Sequence, residues 1–115
     1  MKRDEVVFFE DIIENVNLIE ESIKGTSQNN FNINRLLIDA TIRRLEIIGE
    51  AVKNISKNTR EKHPEIEWKK IAGFRDVVIH EYFGVKIDKV WNVIKGDMPK
   101  LKKQIQIIKK DLIQA

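Results

Sequence analysis

Apolar residues recur at alternating spacings of three and four through the first part of the chain. This pattern is typical of a helix that packs along one face in a bundle, and it comprises Phe9, Ile12, Val16, Ile19 and Ile23. The acidic residues Asp4 and Glu5 precede it and suit the positive N-terminal end of a helix. We therefore predict a first helix that stops near Gly25, where a polar loop over residues 25–30 begins.

A second and longer helical pattern runs from Asn32 or Asn34 to about Ser56. Its apolar positions form two stripes on different faces. One stripe comprises Ile33, Leu36, Leu37, Ala40, Ile47, Ile48, Ala51 and Ile55, and the other comprises Ile38, Ile42, Leu45 and Val52. Since a helix that is apolar on two faces contacts neighbours on two sides, we expect this helix to be central, and one of its faces is a candidate subunit interface.

The third predicted helix follows a polar, charged stretch over residues 57–63. Pro64 fits the start of a helix, and apolar residues continue with helical spacing over residues 66–79. Gly84 fits the end of this helix. His63 lies in the polar stretch beside the proline, and we assign it a structural role.

Two further helical segments complete the pattern. A short one over residues 87–95 ends at Gly96, and Asp97 and Pro99 suit the cap and the first turn of a last helix. No segment has the alternation of a strand. The sequence therefore predicts a single all-α domain over residues 1–115, folded as an antiparallel bundle of four to five helices.

Composition narrows the functional classes. A chain of 115 residues is long enough to fold as one domain without metals or disulfides. It has no cysteine, which excludes disulfide frameworks, thiolate metal sites and thiol nucleophiles. No apolar run approaches the roughly 20 residues of a membrane span, and the N-terminus turns acidic before any apolar run. We therefore expect a cytoplasmic protein without a membrane partner.

Charge is unevenly distributed, although the net charge is only +3. Residues 1–24 carry seven Asp or Glu and three Lys or Arg, whereas residues 95–110 carry six Lys and one Asp. A lysine-rich terminal helix could attract phosphates, but a solvated face is the commoner explanation. Charge alone therefore assigns no partner to this helix.

The segment from Arg75 to Tyr82 places a guanidinium, an imidazole and a phenol inside an apolar stretch. Arg75 offers a planar fork for a phosphate, and His80 can transfer protons near neutral pH. Each of the three residues also has a structural interpretation. Arg75 can be a surface arginine, His80 a packed histidine at a helix end, and Tyr82 an amphipathic aromatic residue. The Arg-x4-His spacing alone is weak evidence, because chance produces it in about one of ten chains of this composition.

Helical geometry sharpens this interpretation. Asp76 and His80 lie about 40° apart on a helix, so the carboxylate can orient the imidazole. Arg75 and Tyr82 share a face, but Arg75 and His80 lie about 140° apart on an unbroken helix. These two can contact one phosphate only if the helix breaks or a second subunit completes the site. We favour the second solution and predict a homodimer.

Several motifs, taken in order, resemble the HepT-like minimal toxins of the HEPN superfamily. The resemblance covers nearly the whole chain and is more specific than any single motif. It rests on Arg3-Asp4, Phe31, the segment from Asp39 to Ala51, Pro64-Glu65-Ile66 with Trp68, and Arg75-Asp76 through His80-Glu81-Tyr82-Phe83. It implies an all-helical, HEPN-like homodimer that forms a type VII-like toxin–antitoxin pair with an MNT-type nucleotidyltransferase.

The resemblance assigns the family's Arg-x4-His-x-Tyr motif to Arg75, His80 and Tyr82. It implies a ribonuclease that needs no metal or other cofactor and binds its RNA substrate in a cleft between two motifs. It also implies that the nucleotidyltransferase silences the toxin by transferring AMP to Tyr82. Asp76 occupies a supporting position where family members often have Asn, and it adds negative charge near the phosphate.

Two other functions stay open at this point. The first is a non-catalytic helical module that binds a nucleotide or its nucleotidyltransferase partner, over which the intact Arg75 and His80 favour the enzyme. The second is a dimeric bundle in which the motif is purely structural. Digestion of RNA by the purified protein separates the enzyme from both.

Overall fold

Four long helices form the frame of the molecule, and short helices connect them. The computed structural model describes residues 5–80 and 87–114, with side chains described outside 75–80 and 113–114. The long helices are α1 (Val6–Ile23), α3 (Arg35–Lys53), α5 (Trp68–His80) and α7 (Met98–Gln114), and the short ones are α2 (Gln28–Ile33), α4 (Lys57–Lys62) and α6 (Ile87–Asn92). Every element in these ranges is helical, which confirms the all-α prediction. None of these helices is both long and apolar enough to cross a membrane.

Helix α3 is central, as predicted. It packs against both α1 and α5, and α1 packs in turn against α7. Its buried face comprises Ile38, Ile42, Leu45, Ile48 and Val52. Burial of a large aliphatic side chain contributes about 1.5–3 kcal/mol, so this face, together with the buried faces of α1 and α7, supplies most of the driving force for folding.

The polar segment after α1 is a turn followed by a short helix. Gly25 has a φ of +77°, which glycine adopts without steric cost. Ser27 then caps α2, because its Oγ accepts a hydrogen bond from the Asn30 backbone N at 3.1 Å. Phe31 is fully buried and holds α2 against the core. The predicted loop was therefore wrong for residues 28–30, where capping and tertiary burial stabilise a helix.

Side-chain caps set the boundary between α3 and α4. Asn34 Oδ1 accepts a hydrogen bond from the Leu37 backbone N at 3.1 Å, which confirms one of the two predicted starts of α3. The helix ends at Lys53 instead of near Ser56. Ser56 belongs to the next helix, since its Oγ accepts a hydrogen bond from the Thr59 backbone N at 3.2 Å and caps α4.

The third predicted helix begins four residues later than Pro64. Turn hydrogen bonds occupy the intervening residues, with Ile66 N donating to His63 O at 3.2 Å and Trp68 N donating to Ile66 O at 2.9 Å. Ile66 is nevertheless buried. The predicted start was wrong because a buried residue in a turn extended the apolar pattern beyond the helix.

The last two predicted helices form one continuous helical segment over residues 87–114. A π-helical turn, Val93–Asp97, joins α6 to α7. Pro99 has no backbone N–H, and its ring crowds the carbonyl four residues before it, so a widened turn at this place accommodates it. Gly96 does not end a helix and Asp97 does not cap one. These two boundary predictions were wrong.

Candidate active site

Helix α5 carries three of the four predicted site residues. It runs without interruption from Trp68 to His80, so Arg75, Asp76 and His80 all lie near its C-terminal end. Tyr82 lies outside the described residues. The structure therefore places the arginine, the aspartate and the histidine on one helix, and the position of the phenol stays a prediction.

The continuity of α5 decides between the two geometries that the sequence allowed. Arg75 and His80 are about 140° apart around the helix axis and about 7.5 Å apart along it. The helix has no break between them, so a local break cannot bring them to one phosphate. Asp76 precedes His80 by one turn, about 40° around the axis. The continuous helix thus argues against the first solution, and the completion of the site by a second subunit stays a prediction.

The start of α5 is fixed by Trp68. Its indole Nε1 donates to the carbonyl oxygens of Arg60 at 3.1 Å and His63 at 2.9 Å, and the side chain is buried. His63 Nδ1 lies 3.4 Å from Glu65 Oε2, which agrees with the structural role assigned to this histidine. A fixed first turn orients the rest of α5, and rigid support of this kind preorganises a site.

A buried carboxylate joins the start of α1 to the start of α4. Glu5 Oε2 accepts a hydrogen bond from Thr59 Oγ1 at 2.7 Å, and Glu5 Oε1 accepts one from the Ser56 backbone N. Burial by itself would raise the pKa of Glu5, but the hydrogen bonds from Ser56 and Thr59 outweigh it and lower the pKa of this carboxyl below its usual value. Sequence reasoning missed this contact, because 51 and 54 residues separate the partners.

An apolar patch remains uncovered where α2 meets α3. Ile33 at the end of α2 and Leu36 of α3 are each 83% exposed, and Ala40 one turn later is also exposed. We call these three residues the outer apolar patch. They belong to one of the two stripes that predicted a two-faced helix.

The outer apolar patch and the motif lie toward the same end of the bundle. Helix α5 begins beside α4, because Trp68 bonds to Arg60, and α4 follows the C-terminal end of α3. Since α5 then packs along α3, its last turns run back toward the N-terminal half of α3.

Among the described residues, no three His, Asp or Glu side chains are close enough together to hold a metal ion.

Comparison with family models matches residues 12–108 of this chain to the family described as Ribonuclease HepT-like. The chain belongs to the HepT-like family. This confirms the resemblance, within the HEPN superfamily, that the ordered motifs indicated. The match extends from α1 into α7 and therefore concerns the bundle as a whole.

Curated relatives cover nearly all of this chain. "Putative RNase MJ1380" of Methanocaldococcus jannaschii is 42% identical over 107 residues, which are 93% of this chain and 98% of that protein. "Probable ribonuclease HepT" of Thermococcus cleftensis is 42% identical over 110 residues, which are 96% of this chain and 100% of that protein. No solved structure matches this chain.

One relative is longer. "Gamma-glutamylcyclotransferase and putative RNase MJ0434" of Methanocaldococcus jannaschii is 44% identical over 112 residues, which are 97% of this chain but 50% of that protein. This chain therefore spans half the length of that relative. Family membership describes the helical bundle, so the individual roles of Arg75, Asp76, His80 and Tyr82 stay predictions.

Proposed function

We propose that this chain is a metal-independent endoribonuclease that uses Arg75 and His80. The observation that carries the proposal is the position of both residues on the uninterrupted α5. The chain is also a member of the HepT-like family, and its relatives bear ribonuclease names. In the proposed reaction the 2′-OH of RNA attacks the adjacent phosphorus. The O2′–P bond forms and the P–O5′ bond breaks, leaving a 2′,3′-cyclic phosphate and a 5′-hydroxyl.

Each motif residue has a defined task in this reaction. His80 takes the proton from the 2′-OH or gives a proton to the leaving 5′-oxygen. Arg75 stabilises the negative charge that accumulates on the phosphorane, and Asp76 orients the imidazole from one turn away. The RNA supplies both the nucleophile and the leaving group. A proton carrier and a fixed cation are therefore sufficient, and a metal ion is not required.

The active unit in this proposal is a homodimer. The angle of about 140° between Arg75 and His80 on one helix supports a site in which two copies of α5 face one cleft. The outer apolar patch supports the same conclusion, because exposed aliphatic side chains such as Ile33 and Leu36 gain free energy when a partner covers them. A closed two-fold dimer would bury this patch against itself.

Control of the enzyme by an MNT-type nucleotidyltransferase is a further part of the proposal. Membership of the HepT-like family supports a toxin role, and Tyr82 follows His80 by two residues. A phenol accepts AMP through its oxygen, with pyrophosphate leaving when ATP is the donor. The added phosphate pairs with Arg75 and excludes RNA by charge and by volume.

Cleavage of a labelled RNA tests the catalytic proposal. Wild-type protein should cleave it in the presence of EDTA and leave cyclic phosphate ends. His80→Ala should lower the rate by about 100-fold or more while the thermal unfolding temperature stays unchanged. His63→Ala is the matched control, since it removes the chain's other histidine and should cleave normally.

Two outcomes contradict this assignment. If His80→Ala and wild type cleaved RNA at the same rate, the cleavage would come from a contaminating nuclease. If wild-type protein bound RNA or nucleotide without cleaving RNA, the assignment as an enzyme would be wrong and the non-catalytic binding module would take its place.

Mass spectrometry tests the proposed control. Incubation with the MNT-type nucleotidyltransferase and ATP should add AMP to Tyr82 and reduce RNA cleavage in proportion. Tyr82→Phe should cleave RNA yet resist silencing by AMP transfer. Modification at another residue, or silencing of Tyr82→Phe by AMP transfer, would show that a different site is controlled.

A further inference from the structure

Helix α7 carries two groups of lysines with different surroundings. Lys102 and Lys109 face α1, where Lys102 Nζ pairs with Glu20 and donates to Asn17 Oδ1 at 3.0 Å, and Lys109 Nζ lies 3.9 Å from Glu10 Oε1. These two lysines are seven residues apart, so they share one side of the helix. Their charges balance carboxylates of α1.

The second group comprises Lys100, Lys103 and Lys110, which we call the α7 lysine ridge. All three are exposed, and in the described part of the chain none has a carboxylate partner. Their spacing places them within about 80° of one another around the axis and along about 15 Å of helix. Ile107 lies among them and is 63% exposed. The ridge is therefore a line of unbalanced positive charge.

The acidic residues near this ridge do not cancel its charge. Asp111 is the one acidic residue of α7, and it lies beyond the last lysine of the ridge. Asp97, before the first lysine, is paired with Lys70 of α5 at 3.4 Å. Glu67, just before α5, lines a groove together with Lys100, so three carboxylates accompany Lys70 and the three ridge lysines. The lysines still outnumber the carboxylates by one, and this excess charge is available to a partner.

The ridge begins beside the middle of α5, at the residue that precedes the motif. A narrow groove between α5 and α7 is lined by polar and charged residues together with Phe74: Glu67 just before α5, Lys70 of α5, Asp97 of the π-helical turn, and Lys100 and Gln104 of α7. Phe74 immediately precedes Arg75 in the chain. The first lysine of the ridge is thus beside the turn of α5 that leads into the motif, and the other two extend from there along α7.

We infer that the α7 lysine ridge binds the phosphate backbone of single-stranded RNA on its way to the active site. This inference rests on the proposed ribonuclease function and adds a second RNA contact outside the Arg-x4-His motif. Lysines bind phosphates as point charges without reading bases, and each contact gains free energy by releasing counterions. The ridge therefore contributes affinity and leaves sequence preference to other parts of the protein.

The geometry favours RNA over two other partners. A membrane surface needs an amphipathic helix with its apolar face free, but the apolar face of α7, including Leu101, Ile105 and Ile108, is buried in the bundle. An acidic protein would present carboxylates at discrete places. A line of lysines that starts beside the motif instead matches an extended polyanion that passes through the active site.

Fluorescence anisotropy with a labelled 2′-O-methyl oligouridine of about 20 nucleotides tests the ridge, because this probe lacks the 2′-OH and cannot be cleaved. The triple variant Lys100→Gln, Lys103→Gln, Lys110→Gln should raise the Kd about tenfold at low salt. The slope of log Kd against log salt should fall by about 2, since each phosphate contact on a single strand contributes about 0.7.

A control variant separates the effect of the ridge lysines on RNA binding from the effect of net charge. Lys24→Gln, Lys57→Gln and Lys62→Gln together remove the same charge from exposed positions outside α7, and the Kd should change less than about threefold. Equal effects of the two triple variants would overturn the inference. Unchanged RNA binding by the ridge variant, with loss of binding to an acidic partner protein, would also overturn it.

The experiment distinguishes an error in the inference about the ridge from an error in the proposed ribonuclease function. If wild type cleaves RNA but the ridge variant binds the probe with an unchanged Kd and salt slope, only the ridge inference fails. If wild type cleaves no RNA but its affinity still depends on the ridge, the ridge stands and the catalytic proposal fails. With an active enzyme, the ridge variant should raise KM more for a long RNA than for a dinucleotide.

Discussion

The α3 side and the α7 side of the bundle differ in what they expose. Both helices bury an apolar face, but beside the buried face of α3 lies the outer apolar patch, whereas the outward face of α7 carries the lysine ridge. An apolar patch gains free energy by contact with another apolar surface, whereas hydrated lysines attract polyanions. We therefore propose that the α3 side serves subunit association and that the α7 side binds the RNA backbone.

The largest expected effect is on the free energy of unfolding, and it differs between the buried and the exposed face of α3. Leu45 is 3% exposed and Leu36 is 83% exposed. Leu45→Ala should lower the free energy of unfolding by about 2–5 kcal/mol, because it leaves a cavity in the core. Leu36→Ala, the matched substitution, should change it by less than about 0.5 kcal/mol at concentrations where the protein is monomeric. Urea unfolding measures both, and equal losses would mean that the two faces are not distinct.

The next effect tests the assignment of the outer apolar patch. The double variant Ile33→Glu, Leu36→Glu should weaken the dimer by about 100-fold or more, since burial of unpaired carboxylates is costly. Light scattering should show the mass fall from about twice 13.5 kDa to 13.5 kDa. Ile107→Glu changes an exposed isoleucine of α7 and should keep the wild-type mass. A dimeric double variant would locate the interface elsewhere.

A smaller effect concerns the junction between α1 and α4, which is formed by Glu5, Ser56 and Thr59. Glu5→Gln should lower the free energy of unfolding at pH 7 by about 1–3 kcal/mol, because it weakens the hydrogen bonds that Ser56 and Thr59 donate. Glu14→Gln, at an exposed position of α1, is the control and should have little effect.

The same junction predicts a dependence on pH. The folded pKa of Glu5 lies below the ordinary value of 4.5, so its contribution is fully present above pH 4.5 and is lost as the pH falls through the folded pKa. Acid titration of stability should therefore show a smaller decrease below pH 4.5 in Glu5→Gln than in wild type. Identical slopes would show that this carboxylate does not couple folding to protonation.

The smallest effect concerns the ion pairs between α7 and α1. Lys102→Gln and Lys109→Gln should each lower the free energy of unfolding by about 1 kcal/mol or less, because their pairs are partly exposed and screened by salt. Lys103→Gln removes a charge that has no carboxylate partner in the described part of the chain, and it serves as the control. Thermal unfolding at low and high salt measures the difference. A loss above about 2 kcal/mol for Lys109→Gln would show that charge holds α7 more than apolar burial does.

Prediction from sequence succeeded for the long helices and failed at several of their boundaries. The alternating spacing of Phe9 through Ile23 located α1, and Asn34 located the start of α3, because periodicity and capping are local properties. The short helices α2 and α4 lack enough residues to show a period. Their caps and the burial of Phe31 and Thr59 stabilise them, and this burial depends on distant parts of the chain.

The candidate site was also only partly accessible from sequence. Residue types and order were sufficient to nominate Arg75, Asp76 and His80 and to identify the family. Whether the chain breaks between Arg75 and His80 could not be read from local pattern, since helix continuity depends on the packing of α5 against α3. The placement of Tyr82 lies outside the described residues, so its role rests on the motif.

Sequence alone was sufficient for the helical class, the approximate course of the long helices and the family, because each follows from residue order or from the period of a single helix. The tertiary arrangement decided which positions of a stripe are covered, for instance Ile48 buried and Leu36 exposed within one predicted stripe. It also decided that, among the described side chains, Lys102 has a carboxylate partner and Lys103 has none. A period describes one helix, whereas burial and pairing depend on neighbours that lie tens of residues away in the chain.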